Sequence, residues 1–87
     1  MSITYKRIKE VNGHPLKTEI TVSKPLGLLR FDVVSFYKGC RTERVCYSAD
    51  KIVQTIEIVE VSVLREQKDA TTYVEELLAS NGFAVKE

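Results

Sequence analysis

Along the first half of the chain, apolar and polar residues alternate in short runs, and along the second half they crowd together. The densest run is Ile52–Leu64, IVQTIEIVEVSVL, rich in β-branched side chains. Its apolar residues fall first on even positions (Ile52, Ile56, Ile58) and then on odd ones (Val59, Val61, Val63). Strand side chains alternate faces with a period of two, so the change of parity predicts a long strand with one inserted residue near Ile58–Val59, a β-bulge. Glu57 and Glu60 would then both face solvent.

Ile3–Val11 and Leu16–Ser23 flank Asn12-Gly13, the strongest short signal for a two-residue type I′ hairpin. That turn sets a register of Ile3 opposite Val22, Thr4 opposite Thr21, Tyr5 opposite Ile20 and Lys6 opposite Glu19. Apolar pairs share one face and opposite charges the other, so turn and pattern agree. Pro15 cannot donate a ladder hydrogen bond, which places this hairpin, or that end of it, at a sheet edge.

Lys24-Pro25-Leu26-Gly27 reads as the next turn. A third strand, Leu28–Tyr37, puts Leu29, Phe31 and Val33 on one face and Arg30 and Asp32 on the other. The chain reverses around Gly39 and returns as Glu43–Ser48. For Phe31 and Val33 to share a face with Val45 and Tyr47, the loop needs an odd length. Ser48-Ala49-Asp50-Lys51 is a weaker turn.

The last element is helical. Asp69 is a candidate N-cap, and Thr72-x-x-Glu75 an alternative capping box. Ala70, Tyr73, Val74, Leu77 and Leu78 form one buried face, and Asn81-Gly82-Phe83 suits a Schellman closure. The expected fold is α+β: a curved antiparallel β-meander of about five strands packed by one C-terminal α-helix, in a single domain of residues 1–87.

Composition fits that fold. An apolar fraction of 44% and a charged fraction of 29% are those of an ordinary globular chain and exclude a disordered one. The charged start MSITYKRIKE does not fit a signal peptide, and no run is long and apolar enough to span a bilayer. The expectation is a cytoplasmic protein with no membrane partner and with Cys40 and Cys46 as thiols. Net charge is +1 but uneven. Residues 1–51 hold ten Lys/Arg against five Asp/Glu, and residues 52–87 hold three against seven. A dipolar chain of this kind attracts anions with its first half or pairs with a second copy, unless neighbouring elements neutralise it on folding.

Catalytic chemistry is sparse. His14 stands alone in a turn, the cysteines lack CxxC spacing, and the isolated glycines form no phosphate loop. No catalytic residue, metal ligand or cofactor is expected, and the chain does not read as an enzyme. The most function-like segment is Phe36–Tyr47, which interleaves rings with cations: Phe36, Tyr37, Lys38, Arg41, Arg44 and Tyr47. Bases stack on rings and cations track phosphates in single-stranded nucleic-acid sites. A sheet edge, by contrast, recruits another chain. The first expectation is a non-catalytic module binding a protein partner, as a homodimer joined through the long fifth strand and the apolar end of the third. Single-stranded nucleic-acid binding through the basic-aromatic hairpin is the alternative.

Overall fold

In a computed structural model that describes residues 2–86, four strands form one antiparallel sheet in the order β1-β2-β3-β4 and two helices follow. The strands are β1 (Ile3–Val11), β2 (His14–Ser23), β3 (Arg30–Tyr37) and β4 (Cys40–Cys46). The helices are α1 (Ile52–Glu66) and α2 (Ala70–Ser80). The class is α+β, with four strands in place of five and two helices in place of one.

The first hairpin has the expected register, Ile3 opposite Val22 through Val11 opposite His14. Asn12 and Gly13 take φ of 53° and 78°, as a type I′ turn requires. Pro15 lies opposite Glu10, one residue beyond the β2–β3 ladder, which starts at Leu16–Tyr37. Its missing N–H therefore costs no sheet hydrogen bond, and β1 is the sheet edge. The second hairpin turns through two residues, Lys38-Gly39, with φ of 48° and 80°. Phe31 and Val33 consequently face Cys46 and Arg44, and Val45 and Tyr47 belong to the opposite face. The expected odd-length loop fails because Lys38 itself takes the left-handed conformation.

Ile52–Leu64 is not a strand. It is most of α1. A helical stripe advances by steps of four and three, so an apolar stripe sampled at every second residue changes parity midway, which is what a bulge also produces. Ile56, Val59, Val63 and Leu64 are that stripe. β-branched residues are only slightly unfavourable in a helix, and burial of the stripe outweighs their strand preference. The turn at Ala49–Lys51 is a 3₁₀ segment that leads into α1.

α1 lies across β3 and β4, against Phe31, Val33 and Cys46, and not the C-terminal helix. The corner after it is a Schellman closure, with Asp69 N–H on Leu64 O at 2.9 Å and Lys68 N–H on Arg65 O at 3.0 Å. Lys68 fills the left-handed position with φ of 58°. α2 ends as expected, with Phe83 N–H on Leu78 O and Gly82 N–H on Ala79 O. Its start differs. The Asp69 side chain makes no cap bond, because it accepts from Tyr37 and Lys38 instead, and the Thr72 hydroxyl meets Asn12 Oδ1. Within α2, Tyr73 is buried, Leu77 half-buried and Leu78 exposed. Val11, Leu16, Tyr37, Val63, Leu64 and Tyr73 make the main core, at the end of the sheet that carries both hairpin turns. With helices on one face only, the molecule is 17 Å thick along its shortest axis.

Lysine in the left-handed region costs about 1–2 kcal/mol, and glycine there gives back part of that through chain entropy. Lys68→Gly is therefore expected to stabilise the fold by about 0.5–1 kcal/mol in urea denaturation; a loss of stability would show that the Lys68 side chain holds the corner.

Candidate functional site

The basic-aromatic segment is split by the pleat. Phe36 and Arg41 stand opposite one another on the sheet face that no helix covers. Arg44, opposite Val33, projects on the helix-bearing face. Tyr37 is core: its hydroxyl lies 2.8 Å from both Val11 O and Asp69 Oδ2 and gives its one proton to the carboxylate. Burial and the Asp69 carboxylate push its pKa up to about 12. Lys38 Nζ lies 2.7 Å from Asp69 Oδ2 and, with the Tyr37 hydroxyl, holds that carboxyl below the usual range. Arg41 is paired with Glu43 at 2.8 Å. Tyr47 is exposed beyond the end of β4. Only Phe36 and Arg41 remain neighbours on one surface, joined by Lys17, whose ammonium sits 4.8 Å over the Phe36 ring.

His14 lies edge-on to Tyr37, with ring centroids 6.3 Å apart. Cys40 and Cys46 are free thiols six residues apart on one strand, about 20 Å at strand rise and too far for a disulfide. Gln67 Nε2 donates to Cys40 Sγ at 2.8 Å. Among the described residues no group of three or more His, Cys, Asp and Glu side chains could hold a metal ion.

The most unusual group is one that the strand reading placed in water. Glu60 is fully buried on the inner stripe of α1. Its Oε2 accepts from Arg7 Nη2 at 2.6 Å and from Thr18 Oγ1 at 2.5 Å, and its Oε1 accepts from the Tyr73 hydroxyl at 2.5 Å. The Thr18 proton is committed to Glu60, so the Ser35 hydroxyl donates to Thr18 at 2.8 Å. Burial, then the Glu60 carboxylate, raises the Tyr73 phenol well above its ordinary range. β1, β2, β3, α1 and α2 all contribute to this cluster, and both carboxylate oxygens are satisfied within it. A charged, hydrogen-bonded carboxylate of this kind locks elements together. Once α1 is drawn as a helix, Glu60 is the lone acid between Val59 and Val63 on the apolar stripe, and that was the signal for it.

The second feature is an apolar end. At the end of the sheet away from the hairpin turns, Ile3, Tyr5, Leu26, Leu28, Tyr47 and Val53 are each between 55% and 101% exposed. α1 covers β3 and β4, and α2 reaches only the far end of β1, so Tyr5 and Ile3 have no lid. A groove of about 110 Å³ runs between Tyr5 and α1, lined by Tyr5, Lys6, Arg7, Thr18, Ile20 and Ile56. Leu26, at the loop tip, has φ of 53° and is the most exposed of the set. A leucine held in a conformation that suits glycine, with its side chain wholly in water, stores strain of the kind found at contact sites. No known protein-family model, curated protein or solved structure matches the chain.

Removing one member of a buried ion pair costs about 3–5 kcal/mol, whereas replacing the pair by apolar groups is often neutral. Arg7→Met is expected to destabilise by about 3 kcal/mol, somewhat limited by the exposure of Arg7, and Glu60→Met by at least as much because it also strips the Thr18 and Tyr73 hydroxyls of their acceptor; Arg7→Met with Glu60→Met should lose less than the two single losses added together, and a loss equal to that sum would show that the pair is not coupled. Tyr37 sets a second expectation. Its folded pKa lies above the unfolded value near 10, so its share of stability is intact below pH 10 and is lost as pH rises towards about 12. The 295 nm titration of the wild type minus that of Tyr37→Phe should have a midpoint near pH 12; a midpoint near 10 would mean that the phenol is neither buried nor bonded to Asp69 in solution.

Proposed function

We propose that this protein is a non-catalytic binding module that acts through protein contact, assembled as a homodimer. The observation that carries this reading is the apolar end. A monomer rarely leaves so many large apolar side chains together in water, and such patches mark interaction sites. One side of a standard protein–protein interface is about 800 Å², and Ile3, Tyr5, Leu26, Leu28, Tyr47 and Val53 at these exposures supply much of that area. The fifth strand expected to join two copies does not exist, so the contact surface moves to this end and to the free edge of the sheet.

The nucleic-acid alternative has less support. Of its three hairpin cations, Lys38 and Arg41 are already paired with carboxylates and Arg44 faces the other way. Of its rings, Tyr37 is in the core and Phe36 and Tyr47 are at opposite ends of the sheet. An electrostatic groove lined by stacking rings, which single strands require, is not assembled from these residues.

Static light scattering at micromolar concentration should give a mass near twice 9.9 kDa. Ile3→Glu with Tyr5→Glu should return it to one chain while changing stability by no more than about 0.5 kcal/mol, because both side chains are exposed. A wild type that stays monomeric to about 100 μM, far above the usual range of specific association, would end this reading.

A further inference from the structure

We infer that two copies of this chain pair through their β1 edges about a two-fold axis that passes beside Ile8, joining two four-stranded sheets into one of eight. This rests on the homodimer reading above and deepens it by naming the seam.

A two-residue turn makes Val11 and His14 a hydrogen-bonded pair, and in an antiparallel ladder such pairs alternate. β2 therefore takes the N–H and C=O groups of Val11, Lys9, Arg7, Tyr5 and Ile3. Those of Thr4, Lys6, Ile8 and Glu10 point out of the sheet, because β1 is its last strand. The same four side chains lie on the face that carries no helix. Ile8 is 57% exposed there, a large apolar residue at the middle of an open edge.

Strands related by a two-fold axis pair antiparallel, and like charges directly opposite one another are destabilising. An axis at Lys6 sets two lysines face to face, an axis at Arg7 two arginines, and an axis at Lys9 two lysines again. An axis at Ile8 sets isoleucine on isoleucine and brings each Lys6 opposite the second copy's Glu10, twice over. Edge lysines discourage pairing when nothing answers them; in this register Glu10 does. On the helix-bearing face the register places Arg7 opposite Lys9 of the second copy. Both are already held within their own copy, Arg7 on Glu60 at 2.6 Å and Lys9 at 4.8 Å over the Tyr73 ring.

This register sets Tyr5 opposite the second copy's Val11, the end of β1 where α2 docks through Thr72 on Asn12 and Tyr73 beneath Lys9. Each copy's α2 end then lies beside the other's unlidded Tyr5. The β4 edge offers less. An axis at Thr42 would set Arg41 on Glu43, but these two already bond to each other within the strand, and no apolar residue lies at the centre.

Cysteine cross-linking in a Cys40→Ser, Cys46→Ala background tests the seam. Hydrogen-bonded antiparallel partners lie about 5.5 Å apart between Cα atoms, within disulfide reach. Ile8→Cys should oxidise to a covalent dimer. Lys6→Cys and Glu10→Cys should each fail alone, and an equal mixture of the two should give the mixed dimer. Lys6→Glu should raise the dimer dissociation constant at least tenfold, and Lys6→Glu with Glu10→Lys should restore it. A protein that is dimeric by light scattering while Ile8→Cys stays uncross-linked would overturn the β1 seam and leave the dimer standing. Cross-linking at Thr42→Cys instead would assign the seam to β4. A monomer at all concentrations would remove the dimer reading and this inference together.

Discussion

The carboxylate of Glu60 is where the fold is tied. It reaches from α1 to a guanidinium on β1, a hydroxyl on β2 and a phenol on α2, and through Thr18 it extends to Ser35 on β3. A buried anion is tolerable only when its donors are in place, so each of these elements must be docked before the group stops being a liability. That requirement selects one rotation of α1 about its axis and one position for α2. Apolar packing alone would permit several, since Val59, Val63 and Leu64 make a smooth stripe. Only β4 lies outside the cluster, and it is held by its ladder with β3 and by α1 resting over it.

Fixing the helices in this way has a cost at the opposite end of the sheet. α1 lies over β3 and β4, and α2 closes the hairpin end, where Val11, Leu16, Tyr37 and Tyr73 are packed. Among the described residues, nothing returns to cover Ile3 and Tyr5. Arg7 reaches Glu60 on the helix-bearing face, and the alternation along β1 leaves Lys6, Ile8 and Glu10 to define its outer edge. An uncovered shelf and an open edge on one strand have a common remedy, a second strand of the same kind. The functional reading and the proposed seam both come from this asymmetry in where cover is supplied.

Much of the fold was legible in the residues. Asn12-Gly13 with matched cross-strand pairs specified the first hairpin to the residue, and Asn81-Gly82-Phe83 specified the end of α2. The failure at Ile52–Leu64 has a physical origin. Its β-branched residues prefer strands, and a helical stripe mimics a bulged strand when read at period two. Thirteen residues is more than twice the usual strand length of about 5–6, which favours a helix over a bulged strand. Read at period two, Glu60 falls in water and the centre of the polar cluster is hidden. Lys38-Gly39 hid for a different reason: a lysine in the first position of a type I′ turn carries no turn signature. The basic-aromatic segment was real as composition, but alternation along β3 and β4 divided it between two faces and the core.

Amide hydrogen exchange of β1 tests the central claim, that the bare edge of a one-sided sheet is completed by a second copy. The N–H groups of Lys6, Ile8 and Glu10 meet only water in a single chain and meet another strand in the pair. The account predicts that their protection rises with protein concentration in step with dimer formation, while the inward amides of Arg7 and Lys9 are protected throughout. Exchange at the unprotected rate for Lys6, Ile8 and Glu10 in a sample shown to be dimeric would contradict it.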